Sequence, residues 1–122
     1  MRQAINKNLN KKQKWDSLVE KLSKKFSFGE NIDIEGILFL IGLQEYNKPY
    51  QKFRKDDNVN LIHIGICTIL EPYGYYSFDQ YDQDGWPHFK LEEKLPNLKS
   101  GEQIVLLKSA ILEYFSKTEL NA

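Results

Sequence analysis

The sequence predicts a mainly α domain: a bundle of about four helices with a short irregular β-hairpin or ordered aromatic loop inserted before the last one. Three observations lead there. Apolar residues recur at helical spacing in three separate stretches, and an uncharged run, Val59 to Leu70, lies between Asp56-Asp57-Asn58 and the stop Pro72-Tyr73-Gly74. The segment from Tyr73 to Phe89 is instead crowded with aromatics and aspartates, poor in strong helix formers, and contains Asp84-Gly85, a hairpin signal.

A chain of 122 residues is long enough for one core without disulfide or metal staples. The expectation is a single helical domain over residues 10–117, with frayed ends at 1–9 and 118–122. An aromatic share of 13%, with seven Tyr, exceeds what such a core absorbs, so some rings should be exposed.

The first helix is expected from about Asn10 to Phe26. Trp15, Leu18, Val19, Leu22 and Phe26 fall at i, i+3, i+4, i+7 and i+11, and lysines fill much of the remaining face. Phe28-Gly29 should end it, since Gly accepts the left-handed conformation found at helix ends.

Asp33 is placed to cap a second helix over 33–46, with Glu35 favoured by the positive end of the helix dipole. Ile34, Ile37, Leu38 and Ile41, with Phe39, Leu40 and Leu43, make it widely apolar. Gly36 and Gly42 each cost about 1 kcal/mol of helix propensity relative to Ala, which points to a close crossing with the third helix. Residues 46–58, including Pro49, read as a loop.

The third helix, over 57–71, is the element the others should surround. Its β-branched Ile residues favour a strand, but its length and boundaries favour a helix; a dozen apolar residues fall short of the roughly 20 needed to span a bilayer. Val59, Ile62, Ile66, Ile69 and Leu70 form the expected main stripe, and Leu61, Ile64, Gly65 and Thr68 leave little polar surface elsewhere.

In the aromatic segment Tyr76 and Phe78 share a strand parity that Tyr81 breaks, and Pro87 is confined to an edge or a bulge. Ser100 and Gln103 match a capping box for a last helix over 101–116, with Ile104, Leu107, Ile111 and Phe115 at helical spacing. No internal repeat is evident.

Little in the chain names a chemistry. His63 and Cys67 lie four apart and share a helix face, but two ligands do not make a zinc site, and within the most apolar run they read as a core histidine and a packed thiol. Asp79, Asp82, Asp84 and Gly85 resemble a calcium loop only loosely: with Gly85 as its sixth residue, the first and twelfth positions are Gln80 and Leu91. The aspartates read instead as turn formers that hydrogen-bond their own backbone. No metal or cofactor is expected.

Charge is unevenly placed. Residues 1–25 hold eight cations against Asp16 and Glu20, a net +6, and the remainder carries −6 because the total is zero. A solvated helix face is the favoured explanation; because the aromatic segment is acidic, nucleic-acid binding through the basic N-terminal helix stands third among the functional readings.

The candidate contact surface is the aromatic and acidic segment itself: Tyr75, Tyr76, Tyr81, Asp82, Asp84, Trp86 and His88. Closure of the core by about half of these rings is weighed level with a contact role, since both can hold for different rings. The functional expectation is a small, non-enzymatic, cytoplasmic interaction protein, binding a protein partner or itself. The alternative is a small-molecule-binding protein or enzyme with a pocket lined by the same segment. A concave site with converging titratable groups favours the alternative, and a flat aromatic patch the first reading. Nothing in the sequence resembles a signal peptide or a membrane-spanning run.

Overall fold

A computed structural model describes residues 10–26, 30–46 and 54–118. The architecture is mainly α, with an antiparallel two-stranded hairpin before the last helix: α1 (Lys11–Phe26), α2 (Ile34–Glu45), α3 (Lys55–Leu70), a 3-10 turn (Glu71–Tyr73), β1 (Tyr76–Tyr81), β2 (Pro87–Leu91) and α4 (Ser100–Lys117). The expected Phe28-Gly29 break, the Pro49 loop and the outermost terminal residues lie outside the described residues. The chain divides into two compact units, one ending at Asp33 and one beginning at Ile34.

In the first unit, Asn10 and Gln13 form a capping box at the start of α1. Gln13 N–H donates to Asn10 Oδ1 at 2.8 Å and Asn10 N–H to Gln13 Oε1 at 3.1 Å. Lys12–Asp16 and Lys24–Glu20 are exposed i,i+4 pairs of small energetic weight.

The second unit is built around α3, which touches α2, α4 and both strands. The helix begins at Lys55, two residues ahead of the expected start, because Arg54 is its N-cap: Arg54 N–H donates to Asp57 Oδ2 at 2.9 Å, and Asp57 N–H to Arg54 O at 3.0 Å. The Pro-Tyr-Gly stop acts as expected, with Gly74 at φ 86° and its N–H on Glu71 O.

The α2–α3 crossing brings glycine backbone directly against the backbone of the facing helix. A Cβ on Gly42 would lie 2.7 Å from the Leu61 carbonyl carbon, and one on Gly65 would lie 3.0 Å from that of Leu38. The glycine contact expected of α2 thus falls at Gly42 and is answered from α3 by Gly65. This crossing decides which face of α3 is buried. Leu61, Ile64, Gly65, Cys67, Ile69 and Leu70 are buried, Ile62 and Ile66 are half-buried, and Val59 is 67% exposed. The expected stripe is therefore corrected. Helical spacing alone suited two faces, and the one carrying the glycine is the one α2 covers.

Around this crossing Ile37, Leu38, Ile41, Leu61, Ile69, Leu70, Ala110 and Ile111 are buried. Tyr114 O–H donates to Glu45 Oε2 at 3.1 Å, tying α4 to α2, and burial followed by the nearby carboxylate raises its pKa. The first turns of α4 are exposed through Val105, so Ile104, though on the apolar spacing of the helix, is a surface residue.

The start of α4 is also corrected. Lys99 is the N-cap, Ser100 is already helical, and Lys99 N–H donates to Glu102 Oε1 at 2.9 Å, while the Gln103 side chain reaches back to Leu98 O. The Ser100/Gln103 box fails by one residue of register. Glu102→Ala should accordingly cost about 0.5–1 kcal/mol in urea unfolding, and Ser100→Ala close to nothing. Equal losses from the two variants would place the helix start at residue 101 after all.

Candidate functional site

The candidate site is organised by the turn joining β1 to β2. Asp82 N–H donates to Trp86 O at 2.9 Å and Gly85 N–H to Asp82 O at 3.0 Å, with Gly85 at φ 88°. The Asp82 side chain then ties the turn from within. Its Oδ1 accepts the N–H groups of Asp84 (2.9 Å) and Trp86 (3.0 Å), and Oδ2 meets His88 Nε2 at 2.8 Å. The His88 bond, followed by the Trp86 N–H, holds the Asp82 carboxyl below its ordinary value, so it is ionised at neutral pH. An ionised carboxylate has no proton to give. His88 therefore carries a proton on Nε2 and donates it to the carboxylate.

The turn is also pinned from behind. Tyr46 O–H donates to Asp84 O at 3.3 Å, and the Tyr46 and Trp86 rings lie 4.7 Å apart. Trp86 and Phe89 pack against the buried cluster Tyr46, Leu61 and Ile64.

A bulge between Phe78 and Gln80 resolves the parity problem of β1. Tyr76 pairs with Leu91, Phe78 with Phe89 and Tyr81 with Pro87, so the extra residue, Asp79, returns Tyr81 to the face of Tyr76 and Phe78. The Phe78 and Tyr81 rings then lie 5.0 Å apart at a tilt of 57°, each 42% exposed. Of the rings in the segment, half-buried Trp86 and Phe89 pack against the core cluster, while Tyr73, Phe78, Tyr81 and His88 are exposed.

Between α3 and the hairpin lies a cleft of about 360 Å³. Asp57, Asn60, His63 and Ile64 line it from α3, and Asp82, Trp86, Pro87, His88 and Phe89 from the hairpin. Of the seven residues singled out in the sequence, it brings together Asp82, Trp86 and His88. Tyr76 sits beside it, edge-on to His63 at 6.3 Å. Tyr75 is half-buried, Tyr81 is turned to Phe78, and exposed Asp84 serves the turn through its backbone.

His63 is exposed, which corrects its reading as a core histidine. The α2–α3 crossing turns Leu61, Ile64 and Gly65 inward, and His63 falls on the flank that the hairpin leaves open. Its signal was the polar stripe Asp57, Asn60, His63 on helical spacing, hidden by the apolar average of the run.

Cys67 is fully buried, and its Sγ lies 3.5 Å from His63 Nε2. Burial pushes the thiol up to about 11, so about one molecule in ten thousand carries a thiolate at neutral pH, which removes Cys67 as a nucleophile. Native protein should therefore react with a thiol reagent very slowly, and denatured protein faster by orders of magnitude. The raised value also stabilises the fold fully below the ordinary 9.0, with that contribution lost as pH rises toward about 11. Fast native labelling, or a urea midpoint unchanged across that alkaline range, would contradict the burial.

Among the described residues, no three His, Cys, Asp or Glu side chains converge as a metal site, and no helix is long and apolar enough to cross a membrane. The chain has no significant match among protein-family models, curated proteins or solved structures.

Proposed function

We propose that this chain is a small binding protein whose contact site is the α3–hairpin cleft, and that the cleft takes a small polar ligand without transforming it. Convergence carries the reading. Two imidazoles, two carboxylates, an amide and an indole from two elements face one concavity at the lower end of the volumes typical of ligand sites. The shape favours a pocket over the flat contact surface expected from the sequence. The buried, protonated thiol leaves the Asp82–His88 pair without an adjacent nucleophile to activate, which favours binding over covalent catalysis.

The test is a fragment titration read by NMR on the side chains of His63, Trp86 and His88. Fragments that bind should move all three sets of resonances, and His88→Gln should weaken them while leaving the fold intact. Binding that leaves these resonances in place would refute the reading.

The exposed Phe78–Tyr81 pair supports a second reading, an interaction surface for a protein partner or a second copy of the chain in the cytoplasm. Sedimentation velocity of the wild type and of Tyr81→Asp tests the self-association form. A monomer at all concentrations in both would remove it.

A further inference from the structure

We infer that the ligand of the cleft is an organic cation, an alkylammonium or guanidinium group, supplied either by a free amine or by a lysine or arginine side chain of a peptide. The inference rests on the binding reading above and adds the ligand's charge.

The cleft wall contains two carboxylates, Asp57 and Asp82, and among the described residues lining it there is no lysine or arginine. An anion entering it would meet these two like charges, whereas a cation would meet charges of opposite sign. The acceptor inventory agrees. Asp57 uses Oδ2 to accept Arg54 N–H, which leaves Oδ1 for a ligand. Asn60 is exposed and offers an amide oxygen. An ammonium or guanidinium group is the ligand chemistry that brings several donors and no acceptor.

The third wall is aromatic. Trp86 is braced against Tyr46 at 4.7 Å and packed on the core cluster, so its ring is fixed at the cleft, and an indole face is the best of the aromatic partners for a cation. Asp82 is already satisfied by three donors and acts through its charge and its hold on His88, leaving Asp57 as the carboxylate with direct contact. Asp57 also belongs to the N-cap of α3, so the appropriate variant is Asp57→Asn, which keeps the acceptor for Arg54 N–H and removes only the charge.

The experiment compares n-butylammonium, n-butanol and butyrate on the full chain, with His63, Trp86 and His88 resonances as the readout. Nα-acetyl-lysine amide and nα-acetyl-arginine amide serve as the peptide-source arm. Butylammonium should bind about tenfold more tightly than butanol, butyrate should be weakest, and Asp57→Asn should remove about that tenfold advantage without changing butanol binding. Tighter binding of the acetylated residue amides than of butylammonium would assign the source to a peptide, and the reverse to a free amine. If butanol or butyrate equals the cation, or Asp57→Asn leaves the preference intact, the inference is overturned while ligand binding stands. If none of the probes moves the cleft resonances, the inference falls, and other fragments at the same resonances decide whether the binding reading falls with it.

Discussion

Gly65→Ala should lower stability by about 3 kcal/mol or more, a loss of roughly 10 °C in Tm for a chain of this size. The added methyl group would meet the Leu38 backbone, and helix backbone cannot rotate aside as a side-chain tip can. Relief requires α2 and α3 to separate, which loosens the contacts of Ile37, Ile41, Leu61 and Ile69 together. Gly42→Ala should do the same through Leu61, and the double variant should fall short of additivity because one separation relieves both clashes. Gly101→Ala is the control, since a Cβ there meets nothing within 4 Å. A Tm for Gly65→Ala as high as that of Gly101→Ala would show that the helices do not cross at these glycines.

Trp86→Ala should cost about 3 kcal/mol, near the lower end for a large aromatic because the ring is only half-buried. The indole covers Tyr46, Leu61 and Ile64 from the hairpin side, so its removal both opens a cavity and frees the turn from Tyr46. Trp86→Phe should recover most of the stability, while cleft binding measured under fully folded conditions should stay weakened. Undiminished stability in Trp86→Ala would mean that the hairpin is held without this contact and that the ring belongs to the surface.

Much of the fold was legible because it follows from local pattern. The α1 stripe from Trp15 to Phe26, the stop after Leu70 and the irregular hairpin each rest on spacing or turn chemistry that acts over a few residues. What was misread depended on partners distant in sequence. The buried side of α3 could not be chosen from an apolar run with two possible faces, and the choice lies in Gly65 meeting Leu38. The same uncertainty hid the site. With α3 taken as covered all round, His63 counted as core, and the stripe Asp57, Asn60, His63 had no cleft to face. Asp82 was recognised as a turn former, but its bond to His88 needed the turn register that sets Tyr81 opposite Pro87, which no parity count along one strand supplies.

The α2–α3 crossing has a local two-fold symmetry. Leu38-Phe39-Leu40-Ile41-Gly42 and Leu61-Ile62-His63-Ile64-Gly65 share the pattern Leu-x-x-Ile-Gly, a short repeat that composition and charge obscured. Gly42 meets the Leu61 carbonyl and Gly65 meets the Leu38 carbonyl, so each glycine can direct a Cα–H toward the oxygen opposite. Such a junction has no leading and trailing partner. Neither helix can leave without exposing both leucines and breaking both contacts, and the two should open as one unit. Native-state hydrogen exchange reads this directly: the slowest amides of α2 and α3 should share one opening free energy and one denaturant dependence, despite the difference in length and composition between the helices.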